Sequence, residues 1–146
     1  MRNQALLSSV VMTVIAALIW AGCGSSADDS LTKADFIRKA NTICSKWQQA
    51  RDQRLGPAQS KFAPLTNRVN QEKAILYIMS AYQNAVSGLG ELSPPAGEEK
   101  KVGTFLKAME EAMAQVKKEP LTATEKSLFK KSNELVDSYG LDQCKV

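Results

Sequence analysis

The side chains that could do chemistry are few, and the most informative one is missing. The chain has 146 residues and no histidine. Without an imidazole there is no general base of the usual kind for a serine or cysteine nucleophile. Nor is there a histidine ligand for zinc, copper or haem. Cysteines stand at positions 23, 44 and 144. None belongs to a Cys-X-X-Cys pair, and no histidine can activate a thiol, so a catalytic cysteine is not expected. The carboxylates are scattered at helical spacing among lysines, with no pair set apart for acid–base work. No glycine-rich phosphate loop is present. Met79, Met109 and Met113 could be imagined as soft-metal ligands, but they fall on apolar stripes, where core packing is the expectation. Trp47, Tyr82, Phe105 and Tyr139 could line a cavity; their helical spacing predicts ordinary core. The sequence therefore assigns no catalytic residue, metal site or cofactor.

Lys and Arg exceed Asp and Glu by 19 to 15, a net charge of +4. Basic doublets at Lys100-Lys101, Lys117-Lys118 and Lys130-Lys131 are interleaved with Glu98, Glu99, Glu110, Glu111 and Glu134. That pattern reads as a solvated helix surface and not as a nucleic-acid patch.

Arg2 is the only charge before residue 28, and Ala5 to Ala21 is almost wholly apolar. A basic start, a short apolar core and small residues at Ala21-Gly22 are the parts of a secretory signal. The run Trp20-Ala21-Gly22-Cys23 resembles the lipobox of bacterial lipoproteins. That resemblance implies a signal peptide over 1–22, a diacylglyceryl group on Cys23, and a domain outside the cytoplasm, lipid-anchored to the cell membrane or the outer membrane. Two other readings stay open, a retained membrane anchor and ordinary cleavage after Ala27. Residues 24–30 carry no apolar side chain larger than Ala, so 23–30 reads as the lipidated cysteine followed by a flexible tether.

Residues 31–146 read as four amphipathic helices. Thr32, with Asp35 three places on, is an Asp variant of the capping box. Phe36, Ala40, Ile43, Cys44 and Trp47 then mark one helical face, and Gly56-Pro57 is expected to stop that helix. A second helix is predicted from about Asn67 to Gly88, its apolar face marked by Val69, Leu76, Met79, Val86 and Leu89. Leu92 to Gly97 is a stiff break. The third spans about Glu98 to Lys118, burying Val102, Phe105, Leu106, Met109, Met113 and Val116. The fourth is predicted to start at Thr122, with Glu125 completing a capping box, and to end at Gly140 as a left-handed cap. Short connections predict an all-α, up-down-up-down four-helix bundle, with helices one and four adjacent and antiparallel.

With Cys23 assigned to lipid, Cys44 and Cys144 remain as an even pair in an oxidising compartment, which predicts a disulfide. Two inert buried thiols are the alternative. Leu31-Thr32-Lys33-Ala34-Asp35-Phe36, then Ala40-Asn41-x-Ile43-Cys44, with a terminal Tyr139-Gly140-Leu141-x-x-Cys144, resembles a group of small exported helical proteins and lipoproteins common in actinobacteria. The resemblance covers the two ends of the domain. It implies a cysteine-bridged helical architecture and brings no activity with it.

Two functional classes follow. One is a membrane-anchored, non-enzymatic binding or scaffolding module for an envelope protein or an apolar ligand. The other is a hydrolase or transferase built from carboxylates or hydroxyls without histidine. The first is favoured, because no polar cluster interrupts a buried stripe. An apolar ligand in the core would be lined by aromatic and Met side chains between helices. A protein partner would need an exposed apolar patch on one helix face.

Overall fold

The computed structural model describes residues 31–146. The expected signal peptide, Cys23 and the tether lie outside the described residues. Four α-helices form the bundle: α1 (Lys33–Lys61), α2 (Arg68–Gly90), α3 (Glu99–Lys118) and α4 (Lys130–Tyr139). Two short 3-10 turns, Pro120–Thr124 and Asp142–Cys144, precede and follow α4. No described helix is long and apolar enough to cross a membrane.

Two of the helix starts, α1 and α2, are capped by a side chain. The Thr32 hydroxyl accepts from the Asp35 backbone N–H at 3.1 Å and donates to the Asp35 carboxylate at 2.8 Å, closing the expected cap. Asn67 caps α2 by accepting from the N–H groups of Val69 and Asn70. At the other end of the chain Gly140 has φ +89°, which an L side chain would resist. There the N–H of Gly140 bonds the Asp137 carbonyl and that of Leu141 bonds the Val136 carbonyl. This pair of bonds is a Schellman turn around the predicted left-handed Gly140, and it folds Leu141 back into the core.

Three expectations are corrected. Gly56-Pro57 does not stop α1, which continues to Lys61 with Pro57 inside it. Proline forfeits one backbone bond there, but the extra turns bury Ala58, which is 1% exposed, and stack Phe62 on Tyr77 at 5.9 Å. Tertiary packing outweighs the local penalty. On α2, Val69 and Leu76 are 53% and 39% exposed instead of facing the core. The buried face is carried by Ala74, Met79, Ala81, Tyr82, Ala85, Val86 and Leu89, and the alanines let α1 approach closely. Thr122 does not open α4. Its hydroxyl donates to the Glu119 carbonyl at 2.7 Å instead of accepting at a cap, and α4 begins only at Lys130.

The core is layered along the bundle axis. Near the start of α1, Phe36, Phe105 and Tyr139 meet with ring centroids 5.4 to 6.4 Å apart. About three turns along, Trp47, Tyr82 and Phe129 form a second layer at 5.2 and 5.8 Å. Such pairs contribute about 0.5–1.5 kcal/mol each beyond their buried area. Phe36 lies level with Tyr139 and Trp47 with Phe129, so α1 and α4 run antiparallel. Their contact is made mainly by the end of α4 and the turn beyond it.

That turn is held to α1 by three residues. The Asn41 amide donates to the Gly140 carbonyl and accepts from the Gln143 N–H, both at 3.2 Å. Gln48 donates to the Gln143 carbonyl at 2.8 Å. Between them, Cys44 and Cys144 stand with Sγ atoms 2.01 Å apart and Cα atoms 4.8 Å apart, across a sequence separation of 100. Both cysteines are buried. Closing a loop of that length restricts the unfolded chain by about 4–5 kcal/mol in a chain-entropy treatment. Reduction, or Cys144→Ala, is therefore expected to lower stability by about 2–5 kcal/mol, read from denaturant midpoints. Non-reducing peptide mapping should recover Cys44 joined to Cys144; unchanged stability on reduction would contradict this.

Candidate functional site

The aromatic and methionine side chains pack against one another as ordinary core, as their helical spacing predicts. Tyr82, Phe105 and Met109 are almost fully buried, and Met79, Met113 and Trp47 are buried beside them. Trp47 Nε1 and the Tyr82 and Tyr139 hydroxyls are buried without a hydrogen-bond partner. Burial pushes the Tyr82 phenol strongly up, with the neighbouring Ser132 hydroxyl acting in the opposite direction. Tyr139 is raised by burial and then by the Glu98 carboxylate close to it. Around Tyr139 the polar groups do converge: Glu98, which has a buried Oε2 with no hydrogen-bond partner, is approached by Lys33 at 3.6 Å and Lys101 at 3.0 Å, and Lys33 lies over the Tyr139 ring.

An apolar groove is present between two helices, and not as a patch on one helix face. Leu55, Ala58 and Gln59 of α1, Leu65 of the connection, and Gln71, Ala74, Ile75 and Ile78 of α2 line an open groove of about 520 Å³. Leu121 and Thr124, from the turn after α3, close one side. Ala58 and Ala74 form a shallow floor, and the aliphatic side chains form the walls. Leu55 is 44% and Leu65 is 36% exposed, so the groove opens to solvent.

The groove follows from the two corrected helix boundaries. Because α1 runs through Pro57, it extends alongside the first turns of α2. Because α4 starts at Lys130, no fourth helix covers that extension. The groove lies at the end of the bundle remote from residue 31. From Lys33 to Ala58 the helical rise gives about 38 Å.

The groove lining holds no charged side chain. On the helix surfaces Arg51 is paired with Asp52 and Arg68 with Glu72, each at 2.9 Å. Cations without an ion pair among the described residues occur along the whole bundle, from Lys39 and Lys100 to Arg54, Lys61, Lys73 and Lys126. The Arg54 guanidinium lies over the Tyr77 ring and donates to the Ser80 hydroxyl at 2.6 Å. Near the start of α1 several ion pairs form, while Lys39 and Lys100 form none among the described residues. Arg38 pairs with Asp35, Lys33 and Lys101 with Glu98, and Lys145 with Asp137 and Asp142.

Cys44 and Cys144 are brought together; Cys23 lies outside the described residues. Sequence reasoning missed Asn41 and Gln48 as the polar clamp. It missed the groove because exposed Leu55 and Leu65 lie outside any predicted stripe.

Two outcomes follow. Tyr82→Phe removes a buried hydroxyl without a partner, so stability should be unchanged or higher by about 1 kcal/mol. A loss larger than that would mean the hydroxyl is satisfied in solution. Asp35, Glu98 and Asp137 are held below their ordinary values by hydrogen bonds from Arg38, Lys101 and Lys145 respectively. A depressed folded pKa stabilises above the unfolded value and is lost as pH falls through the folded one. The thermal midpoint should therefore hold steady above about pH 5 and decline below about pH 4, less steeply in Asp137→Asn. Comparison with protein-family models, curated proteins and solved structures gives no match to this chain, so the groove is the basis for a functional reading.

Proposed function

We propose that the protein is a lipid-anchored envelope lipoprotein whose helical domain is a non-enzymatic binding module, with the aliphatic groove as its binding face. Cys23 carries the lipid, residues 24–30 are the tether, and the domain stands outside the cytoplasm. The observation that carries the binding reading is the groove itself: partly exposed leucines over an alanine floor, beside a core packed without it. An exposed aliphatic surface of this shape is costly in water unless something covers it. The tether joins the bundle at the end opposite the groove.

Fractionation tests the anchor. Wild-type protein should pellet with membranes and take up a fatty-acid analogue at Cys23. Cys23→Ala should abolish the label and leave soluble protein or an unprocessed precursor. An unlabelled mature wild type would refute the anchor. A photocrosslinking residue at Gln59, in the groove wall, tests the binding face in native membranes. It should give discrete adducts, whereas one at Arg38 should give none; equal adducts at both positions would refute the groove.

A further inference from the structure

We infer that a second pocket, between α1 and α2, binds a small amphiphilic carboxylate, with its anionic head on Arg54 and its apolar body over a floor of alanines. This pocket shares no lining residue with the groove, so the two sites stand or fall separately.

Shape is the first argument. The pocket encloses about 270 Å³. That is near the lower end for small-molecule sites and suits a ligand of about ten non-hydrogen atoms. Ala50 of α1 and Ala81 and Ala85 of α2 leave the space between the helices, and Ile43 and Trp47 add apolar wall. From Ile43 to Arg54 the lining rises about 16 Å along α1, long enough for an extended chain of about eight carbons.

The polar groups are the second argument. Lys46, Arg54 and Asn84 line the same pocket, and no carboxylate does. Arg54 is held in place. Its Nη1 donates to the Tyr77 carbonyl at 3.0 Å and to the Ser80 hydroxyl at 2.6 Å, and its guanidinium lies over the Tyr77 ring. Its Nε and Nη2 form no hydrogen bond or ion pair among the described residues. That edge of a guanidinium carries two parallel N–H groups, the geometry that takes a carboxylate bidentately. A side chain already ordered by the protein loses little freedom when a ligand arrives. Trp47 is 2% exposed and its Nε1–H has no partner, so the wall holds a further unused donor. The pocket beside Tyr139 differs, since Lys33 and Lys101 in its lining are already paired with Glu98.

The test uses the full chain in phosphatidylcholine vesicles, with Trp20→Phe leaving Trp47 as the only tryptophan. The probes are octanoate, octanol, octylamine and inorganic phosphate. Trp47 emission is read at about pH 7.5, where a carboxylate is ionised, with protein-free vesicles as baseline. Octanoate should give a saturable change, and the other three should bind at least about tenfold more weakly. Arg54→Met should weaken octanoate about tenfold and leave octanol unchanged. Ala50→Leu, at a half-buried position in the wall, should weaken both. Circular dichroism checks that each variant folds. Should Arg54→Met misfold, Lys46→Glu with Asn84→Asp, both at exposed positions, places acid in the lining and should weaken octanoate similarly. Equal binding of octanol would make the site merely apolar, and equal binding of phosphate would make it a plain anion site; either overturns the inference. Octanoate binding that persists unchanged in the folded variants also overturns it, as does the lack of any saturable response.

Discussion

Asn41, Cys44 and Gln48 lie on one stripe of α1, three and four residues apart, and all three hold the turn from Gly140 to Cys144. Residues nearly a hundred positions apart in sequence are joined there by two backbone-directed amides and a buried sulfur pair. Contacts between distant segments carry the largest loop-closure cost, so a clamp at this point constrains the unfolded chain most. It also sets the register of α4. With Gly140 fixed against Asn41, Tyr139 must meet Phe36, and the ring layer with Phe105 follows. α3 is then positioned by its own Phe105.

Fixing α4 from its C-terminal end leaves its other end free to vary. Pro120 ends α3 locally, and the next residues close 3-10 bonds. Thr122 and Thr124 spend their hydroxyls on the Glu119 and Leu121 carbonyls. Those local bonds compete with helix formation and delay α4 to Lys130. The bundle is therefore complete around the clamp and open at its far end. There α1 and α2 continue as a two-helix hairpin, roofed on one side only by a short turn.

The four helices and most of the core were legible because leucine, methionine and aromatic side chains recur at helical spacing. Thr32, Gly140 and the pairing of Cys44 with Cys144 were legible because their local chemistry is specific. Helix boundaries were less so. Pro57 is a strong local stop, but the packing of Ala58 and the Phe62–Tyr77 stack are long-range facts that the local signal does not contain. Val69 and Leu76 are larger and more apolar than Ala74 and Ala81, yet the smaller residues face α1, where helix separation and not side-chain hydrophobicity decides. The groove was illegible for a different reason. It is made by the absence of a covering element, and no residue in it carries a distinctive motif.

The bridge also determines how the molecule carries mechanical load. Tension applied between residue 31 and Val146 travels down the first three turns of α1, crosses from Cys44 to Cys144, and leaves through the last two residues. Residues 45–143 lie outside that force path. The groove, the α2–α3 pair and both connections are contained in this shielded loop. A pull at residue 31 can fray the start of α1 against Tyr139 without stretching the segment that forms the proposed binding face.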